Sequence, residues 1–274
     1  NDYAKIQDVL MKNLRIIDQA VQNKGQVIGL PTGFKQLDEK TSGLQPSDLI
    51  IVAARPGMGK TAFALNIAQQ SAVKAGASVL IFSLEMSKEQ LGQRLIAMQA
   101  RVESEKLKKG TLDLKDWDRI NFALNELNNT KIVIDDTPGI SIMEMRNKCR
   151  RLKAEQGLDL IVVDYLQLMT FDGRADSRQQ EISALSRHLK LLAREMNCPV
   201  IVLSQLSRAP ELRQDKRPML SDLRESGSIE QDADIVMFLY RDDYYNENTE
   251  KPGVCEINIA KHRSGPTDRI DLTW

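Results

Sequence analysis

The sequence predicts an α/β fold: a mostly parallel sheet with helices on both faces and antiparallel C-terminal strands. Three observations carry this expectation. From Leu49 onward, short β-branched runs alternate with helical segments, the pattern of parallel strands joined by crossover helices. A glycine-containing turn, "RPGMG" at 55–59, sits directly between the first such run and the helix that follows. After Ala233 the runs "ADIVMFLYR", "CEINIAKHR" and "DRIDLTW" succeed one another without helices, which indicates an antiparallel extension at one edge.

Taken in order, residues 2–22 place Tyr3, Ile6, Leu10, Ile17 and Val21 on one stripe, an amphipathic helix ended by "NKGQ" around Gly25. That stripe needs a cover, either the helix's own domain or a neighbouring subunit. The expected strands are "LIIVAA", "SVLIFSLE", "KIVIDD", "LDLIVVDYLQLM" and "CPVIVLSQL", with helices such as "TAFALNIAQQSAVKAG" and "QQEISALSRHLKLLAREM" between them. Residues 206–232 are polar, contain Pro210, Pro218 and Gly227, and form the longest stretch without an expected element; a loop of that length is usually functional or mobile. No internal repeat or low-complexity tract is present.

Composition narrows the class. With 274 residues, 42% of them hydrophobic and 28% charged, the chain is an ordinary globular sequence with material for a core, in one or two domains. Its 38 basic and 38 acidic side chains cancel, so a polyanion must be gripped by a local basic surface and not by the field of the whole molecule. Cys149, Cys198 and Cys255 lie far apart without metal-ligand spacing, and only His188 and His262 could join them; they are read as reduced and structural. No apolar run reaches the roughly 18 residues of a membrane span and no signal peptide precedes the charged start, so the expectation is no membrane association and a cytoplasmic location. The absence of an initial Met suggests a fragment.

The chemistry begins at "VAARPGMGKTAF" (52–63). The stretch follows a buried strand and opens a helix, where backbone N–H groups and the helix N-terminus can face an anion. Gly57 and Gly59 keep the loop free of side chains, Lys60 can reach the β and γ phosphates of a nucleotide, and the Thr61 hydroxyl can ligate Mg²⁺. Ala54 stands where the usual pattern has glycine. "LDLIVVD" ends in Asp164, a strand-end carboxylate fit for the metal; the alternative is an ordinary strand-end Asp capping a turn. Tyr165 follows where many ATPases place a catalytic Glu, so the base must come from elsewhere. Glu85, at the end of "VLIFSLE", is the candidate: a strand lying beside the phosphate-loop strand would aim it at the γ-phosphate. The alternative is a first-turn helix Glu, since "SKEQ" from Ser87 reads as a capping box. Gln205, ending "VIVLSQ", can hydrogen-bond a phosphate or water. Three strand ends delivering Glu, Asp and Gln toward one loop form a coherent site.

"ARPGMGKTAFAL", "FSLEMS", "IVVDYLQL", "LSQLSR", "LRESGSIEQDADIVMFLYRDDYY" and "KHRSGP", in that order over about residues 27–274, resemble the C-terminal motor domain of DnaB-type replicative helicases. The resemblance implies a RecA-like P-loop ATPase core, a homo-hexameric ring, ATP and Mg²⁺ as fuel and cofactor, and 5'-to-3' movement on single-stranded DNA with duplex unwinding. It also implies that residues 1–25 are a linker helix docking on a neighbouring subunit, that 26–274 are the motor domain, that an N-terminal domain precedes the chain, and that primase and a helicase loader are partners. Alanine at the first phosphate-loop position is common in that family. By the same resemblance Gly57, Met58, Gly59, Lys60, Thr61 and Ala62 surround the phosphates, Glu85 is the base, Asp164 binds the metal and Gln205 senses the phosphate. Arg94 would sit near the nucleotide or orient the base, unless it is a solvent-facing helix residue.

Lys261 and Arg263 match the pair that reaches a neighbour's γ-phosphate. With His262 between them they would project to one side of the strand, and the sequence gives no reason for the chain to bury them on an anion of its own. Arg224, Glu225 and Gly227 of "LRESGS" would line a DNA channel, with "TFDGRADSRQQ" a second channel-facing candidate and "KCRRLK" (148–153) read as a solvated helix face. Aromatics are only 5% of the chain, so gripping of the phosphate backbone is the expected mode. The alternatives are a RecA-type recombinase and an ATP-gated scaffold protein.

Overall fold

A computed structural model describes residues 3–24, 27–224 and 228–273, the side chain of Arg224 excepted. In chain order the elements are α1 (Ile6–Gln22), α2 (Lys35–Thr41), β1 (Leu49–Ala54), α3 (Lys60–Ala75), β2 (Ser78–Ser83), α4 (Lys88–Ala100), α5 (Ser104–Lys109), α6 (Leu114–Asn128), β3 (Lys131–Asp135), α7 (Ile142–Gln156) and β4 (Leu160–Asp164). They continue with α8 (Arg178–Met196), β5 (Val200–Gln205), α9 (Leu220–Arg224), α10 (Ile229–Asp232), β6 (Ile235–Tyr240), α11 (Asp242–Tyr245), β7 (Val254–His262) and β8 (Asp268–Thr273).

One sheet runs β3-β2-β4-β5-β1-β6-β7-β8. The strands from β3 to β6 are parallel, and β7 and β8 add antiparallel at the edge. Side chains alternate between the two faces. Ile50, Val52 and Ala54 of β1 join Ala64, Ile67 and Ala68 of α3 in one cluster, while Leu49, Ile51 and Ala53 join Leu185, Leu189 and Leu192 of α8 in another. Both faces are therefore covered, which is why β1, β2 and β4 are buried along their whole length. All six parallel strands end at one edge of the sheet, and that edge carries the phosphate loop.

Two expectations about the sheet are corrected. The strand leading to Glu85 does not lie beside the phosphate-loop strand: β4 and β5 stand between β2 and β1. The fully buried apolar strands occupy the middle, and the partly exposed β3 takes the edge. The final strands are likewise not all antiparallel. β6 runs parallel to β1, with Ile50 opposite Ile235 and Ala53 opposite Phe238, and the short α11 separates it from β7.

Locally the sequence is obeyed. Ser87 caps α4 in a capping box with Gln90, so Glu85 lies before the helix and not in its first turn. The basic run at 148–153 lies on α7, where Arg146 and Arg150 both pair with Glu195 of α8. Residues 206–224 contain a short 3-10 helix (Ala209–Leu212) and α9. No helix among the described residues is long and apolar enough to cross a membrane.

α1 does not fold back on the domain. None of its residues is buried, and Ile6, Leu10, Ile17 and Val21 are all more than half exposed. Both faces of the sheet already have their helices, so the stripe finds no cover among the described residues.

Substitutions separate these two situations. Phe238, 1% exposed at the centre of the sheet, is expected to cost about 3–5 kcal/mol when changed to alanine. Ile17→Ser is expected to change the stability of the monomeric chain by no more than about 0.5 kcal/mol. Urea unfolding at concentrations where the chain is monomeric checks both values.

Candidate active site

The loop between β1 and α3 has the form that an anion site requires. Gly57 and Gly59 both adopt positive φ, 81° and 88°, a conformation that costs side-chain-bearing residues energy. A Cβ at Gly57 would also come within 3.0 Å of the Tyr244 ring. Gly59 precedes α3 without any side-chain cap, so the first-turn N–H groups of Lys60, Thr61 and Ala62 face outward from a 16-residue helix without intrahelical acceptors. Ala54 is fully buried between β5 and β6, and its methyl group is accommodated. Met58 is buried too, and its sulfur accepts the Arg241 N–H at 3.3 Å, so only its backbone is available to a phosphate.

Lys60 is 8% exposed and its ammonium lies 4.9 Å above the Tyr165 ring, a cation–π contact that holds it over the loop. The Thr61 hydroxyl donates to Asp164 Oδ2 at 2.9 Å. Asp164 Oδ1 is buried and has no hydrogen-bond partner among the described residues. Burial raises the Asp164 pKa and the negative charge of Glu85 adds to that, while the Thr61 hydrogen bond, Lys60 and Arg94 act the other way. A divalent cation fits this donor set: it would satisfy the orphaned oxygen next to a hydroxyl ligand. Among the described residues no group of three or more His, Cys, Asp or Glu forms a cage, and Mg²⁺ ordinarily takes only one or two protein ligands beside phosphate and water.

Glu85 reaches the same place although its strand is not the neighbour of β1. Ser83 pairs with Asp164 in the β2–β4 register, and Leu84 N–H donates to the Asp164 carbonyl at 2.8 Å. Glu85 follows, exposed to solvent, and its charge raises the pKa values of both Asp164 and Tyr165. Arg94 is exposed on α4, close enough for its charge to lower the Asp164 pKa. Gln205 ends β5 directly opposite Ala54. Sequence reasoning missed Gln167, which holds this strand end in place. Its amide donates to Ser204 Oγ at 2.9 Å and to the Gln205 carbonyl at 3.3 Å, and accepts from Gln205 N–H at 3.3 Å. The only signal was its place in "DYLQL", three residues after Asp164. Tyr165 and Tyr244, which flank the loop as aromatic surfaces, were also not anticipated as parts of the site.

Lys261 and Arg263 lie at the other end of the sheet. His262 pairs with Ile235, which lies beside Ile50 at the start of β1, so neither cation reaches the chain's own phosphate loop. Both nevertheless find acceptors within the chain. Lys261 donates to the Glu230 carbonyl, and Arg263 donates to Asp234 Oδ1 at 3.0 Å and to the Gln231 carbonyl at 2.6 Å. Asp234 also accepts from Lys190 at 2.6 Å and Leu49 N–H at 2.8 Å; these donors hold its carboxyl below the usual range against the effect of burial. Burial, with the Arg263 charge beside it, lowers the Lys261 pKa.

Arg224 is the last residue of α9; its side chain, Glu225 and Gly227 lie outside the described residues. On the far side, Ser228 N–H donates to Ser183 Oγ at 3.0 Å and Asp232 accepts from Ser186 at 3.0 Å. An open groove there is lined by Gln179, Gln180, Ser183, Arg187, Ser228 and Gln231, so the ends of the two segments expected to face a channel meet on α8.

A phosphate loop at the end of a parallel sheet, with a strand-end Asp on its Thr and a carboxylate at the next strand end, defines the P-loop nucleotide-hydrolase class. More narrowly, the sequence profile described as DnaB-like helicase C terminal domain matches residues 29–274, and the chain belongs to that family. It is 55% identical over 273 residues to the replicative DNA helicase DnaC of Bacillus subtilis (strain 168), covering 99% of this chain and 60% of that protein. The replicative DNA helicase DnaB of Geobacillus stearothermophilus is 54% identical over the same span and coverage. The chain thus spans about three-fifths of the length of these relatives. Among solved structures, one described as an ATPase domain aligns with TM-score 0.94 at 42% identity, covering 100% of this chain and 96% of that one. A DnaB-like replicative helicase studied for its interactions with primase aligns with TM-score 0.90 at 42% identity, covering 100% and 65%. The RadB recombinase, at TM-score 0.54 and 21% identity over 89% and 95% of the two chains, shares the fold.

The charged cluster at the lower end of the sheet predicts a pH dependence. Burial and the negative charge of Asp234 push Asp48 up from 3.8 to about 6, with Lys190, His262 and Arg263 opposing. The folded chain therefore holds this proton more tightly than the unfolded chain, and the stability it contributes is complete below 3.8 and lost as pH rises through about 6. Asp48→Asn is expected to match the parent near the acid end and to be more stable than it at pH 7.5, by well under about 3 kcal/mol because the group is partly exposed. Denaturant unfolding at the two pH values checks this, and equal stabilities at pH 7.5 would contradict it.

Proposed function

We propose that this chain is the ATP-driven motor of a replicative DNA helicase, working as a homo-hexameric ring that moves 5' to 3' on single-stranded DNA and unwinds the duplex. The observation that carries the reading is the convergence of Lys60, Thr61, Asp164, Glu85 and Gln205 at one edge of the sheet, while Lys261 and Arg263 stand at the other. One subunit then presents a phosphate site on one side and a pair of cations on the opposite side, which suits head-to-tail assembly into a ring. The 55% identity to a protein named a replicative DNA helicase supports the same reading.

The chain's residues divide the work. The outward N–H groups of α3 and the Lys60 ammonium hold the phosphates of ATP and offset the charge that develops on the transferred group. Mg²⁺, when bound at Thr61 and Asp164, neutralises phosphate charge. Glu85, open to water, accepts the proton of the attacking water. Gln205 contacts the terminal phosphate, and Arg94 orients Glu85. Arg263 and Lys261 exchange their carbonyl and carboxylate partners for the γ-phosphate of the adjacent subunit. The exposed stripe of α1, in the linker at residues 1–25, docks on a neighbour, for which Leu114, Trp117 and Phe122 on α6, all at least half exposed, offer an apolar counterpart. Arg224, Glu225 and Gly227 line the channel and grip DNA by its backbone. Primase and a helicase loader are the expected partners, and the cytoplasm the expected location.

Turnover measured with and without single-stranded DNA, together with strand displacement, tests the whole. Lys60→Ala is expected to lower turnover by about 10²-fold or more, whereas Glu85→Gln keeps nucleotide affinity and loses about 10² to 10⁴ in turnover. Normal hydrolysis in the first variant, or lost binding with unchanged turnover in the second, would contradict the site. Arg224→Ala is expected to weaken DNA binding equally for all sequences and to reduce the log–log salt slope by roughly 0.7; a sequence-dependent loss would contradict backbone gripping.

A further inference from the structure

The covalent path from Gln205 to Arg224 is a polar segment whose only regular element before α9 is the short 3-10 helix Ala209–Leu212. A segment of that kind transmits little unless it is pinned at both ends, and it is. At one end Arg55, the first residue after β1, donates to the Leu206 carbonyl at 2.7 Å and to Glu211 Oε1 at 3.1 Å. The same Glu211 oxygen accepts the Tyr245 hydroxyl at 3.0 Å. Arg55 lies in the loop between β1 and α3, so Glu211 is tied to the element that, on the functional reading above, holds the nucleotide's phosphates.

At the other end Arg213 donates to both oxygens of Asp222 at 2.8 Å each and to the Arg217 carbonyl at 2.9 Å. Asp222 is 6% exposed in α9 and also accepts Met219 N–H at 2.8 Å; it stands two residues before Arg224. Its bidentate pairing with Arg213 fixes orientation as well as distance. Only Leu212 separates Glu211 from Arg213, and it is 87% exposed, so packing of its side chain does not hold the turn. The turn is braced instead by Glu211 N–H to the Arg208 carbonyl at 2.9 Å and Arg213 N–H to the Pro210 carbonyl at 3.3 Å. Two ion pairs set two residues apart on one braced turn form a lever with one arm on the phosphate loop and the other on α9.

We propose that Glu211 and Arg213 are positioning residues that transmit the state of the phosphate loop to the segment carrying Arg224, so that nucleotide and single-stranded DNA each change the affinity of the protein for the other. The inference rests on the functional reading above and adds a route to it. Coupling of this kind is reciprocal, and where it operates it changes affinities by about 5- to 150-fold.

The test is an equilibrium one on the assembled protein. The affinity for a labelled oligothymidylate is measured by fluorescence anisotropy with and without Mg²⁺ and a non-hydrolysable ATP analogue, and the ratio is the coupling factor. Glu211→Gln and Arg213→Lys are each expected to bring that factor close to 1 while leaving turnover without DNA within about twofold of the parent. The double variant should lose no more than either single one, because two links in series fail together. Glu195→Gln, which breaks two more exposed pairings between α7 and α8, with Arg146 and Arg150, should leave the factor unchanged and so separates loss of this route from loss of ion pairs elsewhere in the fold. Parental coupling in both variants, additive losses in the double, or an equal loss in Glu195→Gln would overturn the inference alone. A parent protein whose DNA affinity ignores the nucleotide would overturn the functional reading and the inference with it.

Discussion

The hydrogen bond from Thr61 to Asp164 is the contact around which this molecule is arranged. It joins the first turn of α3 to the end of β4 across the intervening β5, so it exists only if three strands end in register. The carboxylate is buried, and its Oδ1 has no hydrogen-bond partner among the described residues, an arrangement that costs free energy unless a further group satisfies it. Charges arranged around it decide what can relieve that cost. Lys60 and Arg94 favour the ionised form, Glu85 opposes it, and a cation bound with phosphate would satisfy the free oxygen. On the proposed reading, a nucleotide with its metal would therefore act directly on the ends of β4 and β5.

The same parallel alignment that gathers the phosphate site at one edge sends Lys261 and Arg263 to the other, because β7 returns antiparallel. On the proposed reading, their partners within the chain are what assembly would have to exchange. The Arg263 side chain is about half exposed, at 47%, and an ion pair in such a position contributes only about 0–1 kcal/mol. A charge-assisted contact to phosphate is stronger, so on the proposed reading Arg263 can leave Asp234 at little cost. Asp234 stays compensated, because Lys190 and Leu49 N–H still bind it. Lys261 is held by the Glu230 carbonyl and has a lowered pKa; a neighbour's phosphate would favour its charged form.

What was legible in the sequence was local. The phosphate loop, the strand ends at Glu85, Asp164 and Gln205 and the capping box at Ser87 each occupy a short span whose residue types dictate the geometry. Strand order was not legible, since a crossover helix passes one neighbour as readily as three, and the condition under which Glu85 was aimed at the loop, that β2 lie beside β1, does not hold for that reason. Glu85 still reaches the site, because β4 carries Asp164 to its side. The partners of Lys261 and Arg263, the pinning of Gln205 by Gln167 and the ties from Arg55 to Glu211 join residues roughly 30 to 156 positions apart, and no spacing rule reports such meetings. For α1 the sequence presented an apolar stripe without its cover, and the single chain leaves that stripe bare.

The central claim is that one subunit's phosphate loop and another's Arg263 make a single catalytic unit. Mixing two inactive variants, Arg263→Ala and Lys60→Ala, tests it most directly, with subunit exchange verified by fluorescence energy transfer between labelled chains. The account predicts that mixed rings regain hydrolysis, because some interfaces pair an intact loop with an intact arginine. Verified mixed rings that stay inactive at every ratio, or isolated monomers as active as rings, would contradict it.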